Sequence, residues 1–180
     1  FHHYTVGSNY RLTAWQAALT GREEDYAASA EAALAYRKYH GDPATWRRLR
    51  AWLQTAEGLS EMERRTLVLV EMEYHRNQLA PERLERLVHW SKEIERTLAT
   101  FRGELDGRRL SDNELLERLR KEDRSDRREA AWKALKSVGA AVAPRIVELA
   151  RLRNEAARDL GFSDFWDMEV RLQEHAPQQL

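Results

Sequence analysis

The sequence predicts an all-α protein, a multi-helix array of about eight or nine antiparallel helices. Three observations predict it: apolar residues recur in steps of three and four along almost the whole chain, proline and glycine fall mainly at the joints, and no alternation of apolar and polar residues is long enough for a confident strand. The pattern leaves room for one very short strand, near residues 104–110. A chain of 180 residues suits one substantial core.

Residues 1–8 read as a disordered or tag-like start, with His2 and His3 resembling the relic of an expression tag, and 9–180 as a single helical domain. Asn9 is the expected cap of a first helix that carries Leu12, Trp15 and Leu19 and ends at Gly21. The run REEDYAASAEAALAYRKYH is acidic in its first turn and basic in its last, as the helix dipole favours, and closes at Gly41. Its alanines let a neighbouring helix come close.

Asp42 before Pro43 is a helix start, because proline at the first helical position wastes no donor. That helix presents Trp46, Leu49, Trp52 and Leu53 and stops at Gly58. Ser60 and Glu63 form a capping box for a helix with Leu67, Val70, Met72 and Tyr74. Ala80 and Pro81 open the next, with Leu84, Leu87, Val88, Ile94, Leu98 and Phe101 inward. The connection is short, which predicts an antiparallel hairpin of these two helices.

Asp106 and Gly107 mark a turn, and Ser111 with Glu114 repeats the capping box ahead of Leu115, Leu116 and Leu119. Ser125 or Asp126 caps a helix carrying Ala130, Trp132 and Leu135. Gly139 and Pro144 then interrupt the register, which predicts a break or kink just before the proline. Val142, Ile146, Leu149, Leu152, Ala156 and Leu160 make one apolar stripe, Gly161 stops that helix, and Ser163 is positioned to cap a last one with Phe165, Trp166 and Met168. This final pair of helices is the piece the remainder packs around.

The balance of 30 basic and 30 acidic residues leaves no global charge to attract nucleic acid, an anionic membrane or an acidic substrate. Trp46-Arg47-Arg48-Leu49-Arg50 and the run Arg118 to Arg128 read as solvated arginine faces rather than a nucleic-acid grip, since acids interleave the second and the tryptophans of the first lie on its apolar stripe. No cysteine is present, so there is no thiolate zinc site, and a reducing, cytoplasmic location is expected. No window approaches the roughly 20 apolar residues of a membrane span. Glu71 and His75, like Glu85 and His89, stand four apart, but the di-iron bundle signature needs a spacing of three and further glutamates, so neither pair is assigned a metal.

Three separated segments, in order, carry a family resemblance. Leu149 to Met168 combines Arg153-Asn154, Ala156-Ala157, Leu160-Gly161-Phe162 and Phe165. Phe101 to Leu116 holds Asp106-Gly107 and Leu110-Ser111-Asp112-Asn113-Glu114, followed by Arg128, Ala130 and Trp132. The opening supplies TAWQAALTGREEDYAASAEAAL. Together, from about Asn9 to Gln173, these are similar to the amino-terminal, non-catalytic helical part of the zinc oligopeptidases: the thimet-oligopeptidase and oligoendopeptidase F family and the related angiotensin-converting-enzyme-like peptidyl-dipeptidases. Catalysis in that family needs His-Glu-x-x-His on a helix, to hold zinc and activate water. None of the six histidines here stands four from another, so no catalytic, metal or substrate-binding residue carries over.

The resemblance therefore implies a channel wall or lid of a metallopeptidase that hydrolyses short peptides. The zinc is expected in a catalytic part beyond residue 180 or on another polypeptide, and this chain alone is expected to be inactive. Short peptides, and the catalytic half or a second copy, are the implied partners. The competing expectation is a free-standing helical interaction module without catalytic activity.

Overall fold

The structure, a computed structural model, describes residues 2–55, 57–176 and 178. Among these are nine helices and one small antiparallel hairpin, and the all-α expectation holds. The order is α1 (His2–Thr20), α2 (Glu23–His40), α3 (Pro43–Gln54), α4 (Glu61–His75), α5 (Pro81–Thr100), β1 (Gly103–Leu105), β2 (Arg108–Leu110), α6 (Asp112–Lys121), α7 (Ser125–Lys136), α8 (Val138–Asp159) and α9 (Phe165–Arg171). No helix of the described residues is long and apolar enough to cross a membrane.

Local signals set most boundaries. The Asp42 carboxylate accepts the Thr45 N–H at 2.8 Å at the head of α3. Both capping boxes form, Ser60 with Glu63 and Ser111 with Glu114. Asp106 and Gly107 both take positive φ, 53° and 72°, the backbone of a two-residue hairpin turn, so the short strand expected near 104–110 is a pair of strands in register Gly103 to Leu110. Gly161, at φ 91°, ends α8 in a Schellman motif: its N–H reaches the Arg158 carbonyl at 3.0 Å, and that of Phe162 reaches Ala157 at 3.0 Å.

Several expectations are corrected. The first helix starts at His2 and runs through 2–8 and Asn9, so Asn9 caps nothing. Leu12, Trp15 and Leu19 stand 62%, 60% and 63% exposed, because α1 turns its small side, with Ala17 buried, onto Ser29, Ala32 and Ala33 of α2. Between two competing stripes, the smaller one allows the closer approach. Trp52, Leu98, Leu116, Trp132, Ile146 and Trp166 likewise face outward, and α7 buries Ala131 and Ala134 in place of Ala130 and Trp132. Asp164, not Ser163, caps α9, and neither Ser125 nor Asp126 caps α7, which begins after Arg124 without a side-chain cap.

The α4–α5 hairpin does not form as a packed pair. Helix α4 packs on α3 and touches α2, while α5 lies between α2 and α8. Pro144 does not break α8, which continues through it, and the interruption falls earlier, at the Ser137 junction with α7. Val142 on one side of the proline and Leu149 and Leu152 on the other are buried on one continuous stripe, which offsets the single lost backbone bond.

The core joins α5 to α8. Leu87 and Ile94 interlock with Leu149, Leu152 and Ala156, and Trp90 leans against them. Arg83 straddles the edge of this pair, 2.9 Å from Glu155 and 3.0 Å from Asp159. A second cluster, Ala157, Met168 and Leu172 with Phe162 and Phe165, locks α9 across the end of α8. Helix α8 packs against α5 and α9 and is touched by α7, whereas α1 with α2, α3 with α4 and α6 with α7 pair among themselves, so the last two helices anchor one part of the fold and not the whole of it.

Candidate functional site

Where α1, α2, α4, α5, α8 and α9 meet, a cleft of about 300 Å³ opens, lined by Tyr10, Tyr36, Arg37, Arg76, Arg153 and Phe165 among others. Its apolar floor is Leu79, Leu87, Ala156 and Met168, part of the two core clusters or packed against them. A second, shallower hollow of about 570 Å³ adjoins it, sharing Ser91, Arg153 and Phe165, and adds Ile146 and Trp166. The second hollow carries the carboxylates of Glu95 and Asp164 beside Ile94, Ile146, Leu149 and Trp166.

Each polar side chain has a local reason to be there. Arg37 sits one turn beyond Ala33 on the inward face of α2, and its guanidinium donates to Asn77 Oδ1 at 3.4 Å. Asn77 is almost fully buried; its amide donates to the Glu73 carbonyl at 2.8 Å and the Glu73 carboxylate at 3.2 Å. Arg76 lies 3.3 Å from Glu73 and 3.6 Å from Glu169, and donates to the Leu172 carbonyl. Arg153 lies over the Phe165 ring, 5.1 Å from its centre. Asn154 beside it accepts the Phe165 N–H at 2.9 Å, which fixes the start of α9 against α8.

Charge is unevenly matched in this cleft. Both carboxylates, Glu73 and Glu169, answer Arg76. Among the described residues, neither Arg37 nor Arg153 has a carboxylate within ion-pair distance. Burial, above all, presses the Arg37 guanidinium below its ordinary value; the positive charges of Arg76 and Arg153 act the same way, against Tyr10 and Glu73. An arginine does not shed its proton in response, so the strain stays electrostatic. Burial raises the Tyr36 phenol well above its usual range, and the Glu73 carboxylate beside it adds to that. Tyr36 therefore remains a neutral hydrogen-bond donor.

The residues weighed for metal binding are engaged elsewhere. The His75 ring is sandwiched between Trp46 and Phe162, with centres 5.3 Å and 5.2 Å away, and its Nε2 lies 3.4 Å from the Leu160 carbonyl. Glu71 accepts the Trp46 indole N–H at 2.7 Å. His89 packs on Trp90, and the buried His40 has Nδ1 2.8 Å from the Tyr36 carbonyl. Since α4 and α5 do not pair, Glu71 and His89 are not brought opposite one another. Among the described residues, no three His, Asp or Glu side chains converge as a metal would need.

Of the residues singled out in the sequence, Arg153, Ala156, Leu160 and Phe165 do reach the cleft. Sequence reasoning missed Tyr10, Tyr36, Arg37, Glu73, Arg76 and Asn77. A signal was present: Arg37 falls on the same helical stripe as Tyr26, Ser29 and Ala33, and a charge on a buried face asks for a partner. Comparison with protein-family models, with curated proteins and with solved structures finds no match.

Proposed function

We propose that this chain is the amino-terminal, channel-wall portion of a zinc-dependent oligopeptidase, acting on short peptides together with a catalytic part that carries the metal. The observation that carries this reading is uncovered apolar surface. Four of the six tryptophans, Trp15, Trp52, Trp132 and Trp166, are more than half exposed, alongside Leu12, Leu19, Met62 and Val147. A tryptophan brings roughly 150–250 Å² of surface, so each outward ring is a sizeable area for a partner to cover. Outward tryptophans on α1, α3, α7 and α9 are better accounted for by a further polypeptide than by a self-contained interaction module.

In this reading the chain binds and orients while the chemistry belongs to the other part. The groove between α5, α8 and α9 offers an apolar trough for side chains and arginines for a peptide's charged end. No step at the metal is assigned to residues of this chain.

The test pairs this chain with the polypeptide encoded by the adjoining reading frame or a neighbouring gene that carries His-Glu-x-x-His. Chelator-sensitive cleavage of a quenched fluorescent peptide is expected from the pair and not from this chain alone. Chelator-sensitive cleavage by the purified chain alone, or no such motif in the surrounding frame, overturns the reading.

A further inference from the structure

The cleft holds three guanidinium groups, Arg37, Arg76 and Arg153, and two carboxylates, Glu73 and Glu169, so its local charge is +3 − 2 = +1. Both carboxylates lie beside Arg76, with Glu73 also accepting from the Asn77 amide and the Tyr36 hydroxyl, and among the described residues the Arg37 head has only the Asn77 amide oxygen, at the long distance of 3.4 Å. Among the described residues, Arg153 rests on the Phe165 ring without a hydrogen bond or ion pair. A desolvated cation without a counterion is costly, and a ligand that supplies the counterion recovers that cost on binding.

The lining also says what accompanies the charge. Leu79, Leu87, Ala156, Met168 and Phe165 give the same cavity an apolar side, continued toward Ile146 and Trp166 in the adjoining hollow, whose Glu95 and Asp164 carboxylates keep an anion at the Arg37 end. A volume of about 300 Å³ lies at the small end of the range of ligand pockets. A bare inorganic anion would leave the apolar side unused, and a dianion would exceed the single surplus charge and meet Glu73 and Glu169.

We infer that this cleft is a binding site for a monocarboxylate on an apolar stem, with the carboxylate seated between Arg37 and Arg153 and the stem along Phe165 toward the shallower hollow. Planar, two-pronged guanidinium donors match a carboxylate. The carboxylate belongs either to the C-terminus of a short peptide or to a free carboxylic acid. Such a site stands whether or not a zinc-bearing part exists, since it uses this chain's residues only.

Calorimetric titration of the 180-residue chain with N-acetyl-leucyl-leucine and with 4-phenylbutyrate separates the two sources, and the C-terminal amide of the same peptide and inorganic phosphate are the controls. At least one acid is expected to bind with Kd below about 1 mM, and the amide at least about tenfold more weakly than its acid. Binding of the peptide acid assigns the site to peptide termini, and binding of phenylbutyrate alone assigns it to free acids. Arg153→Gln is expected to weaken binding about tenfold while leaving the melting temperature near that of the parent, and Arg153→Lys to restore part of the loss. Binding by neither acid, equal binding of acid and amide, phosphate bound as tightly as the acids, or unchanged affinity in a folded Arg153→Gln protein overturns the site.

Discussion

Gly103 offers the sharpest test of how the small hairpin is joined to the helices. It opens β1, and a Cβ built there would lie 2.4 Å from the Ala134 carbonyl oxygen and 2.8 Å from Leu115 Cδ1. The oxygen belongs to the backbone of α7, and Leu115 is fully buried. To regain an ordinary contact of 3.4 Å, α7 must retreat by about 1 Å, since no flexible side chain gives way. Overpacking of this kind costs about 1–3 kcal/mol, and a clash with backbone on one side and a closed core on the other belongs at the upper end. Gly103→Ala is therefore expected to destabilise by about 3 kcal/mol, or a fall in Tm of roughly 6–12 °C for a chain of this size. Urea unfolding followed by circular dichroism measures it. Gly107→Ala, at φ 72° with open space around it, isolates backbone strain and should cost about 1–2 kcal/mol. Gly139→Ala, in helix α8 with nothing near, should be neutral or stabilise by up to about 1 kcal/mol. If Gly103→Ala falls within about 0.5 kcal/mol of the parent, the close docking of β1 on α7 is wrong.

Leu152→Ala empties the centre of the α5–α8 core, where Leu152 is 1% exposed, and should cost about 2–5 kcal/mol; a loss under about 1 kcal/mol in urea unfolding would place that core elsewhere. Asp164→Ala removes the carboxylate that accepts the Asp167 N–H at 2.9 Å and should cost about 1 kcal/mol, where the same change at Ser163 costs less. Hydrogen bonds hold carboxyls below their ordinary values, among them Asp42 through Thr45, Glu63 through Ser60, Glu114 through Ser111 and Asp167 through Arg171. Folded values lie below unfolded ones, so this stability is complete above the ordinary carboxylate range and is lost as pH falls through the folded values. The urea midpoint should hold down to about pH 5 and decline below about pH 4, and a midpoint unchanged at roughly pH 3 would refute the assignment.

What was legible in the sequence was local. Asp42-Pro43, the two Ser-x-x-Glu boxes, Asp106-Gly107 and Gly161 act within a few residues of themselves, and each stands where its chemistry requires. What misled was the choice of face. Helix α1 carries one stripe of Leu12, Trp15 and Leu19 and another centred on Ala17, and only the partner helix decides between them. The α4–α5 pairing failed for a related reason: a short connection fixes which ends are near but not which neighbour is buried against which, and α5 buries Leu87 and Ile94 against Leu149, Leu152 and Ala156 of α8. Pro144 misled because the price of one missing hydrogen bond is known locally, whereas the burial that offsets it is not. For the cleft, Arg153 and Phe165 stood within a motif. Arg37, Glu73, Arg76 and Asn77 come from helices that meet only in the folded chain, and charged residues there read as solvated until the cavity is seen.

The three stacked rings of Trp46, His75 and Phe162 have a mechanical consequence. They bridge α3, α4 and the elbow at which α8 hands over to α9, with Arg65 to Glu174 as an outer tether at 2.9 Å. Moving α3 outward must break the contact of Trp46 with the imidazole, and displacing the elbow must break that of Phe162. A push arriving at the outlying α3–α4 arm is thus felt at the base of α9, where Phe165 supports Arg153. The arm is a handle on the cleft, to which the end of α4 and the residues just after it contribute Glu73, Arg76 and Asn77.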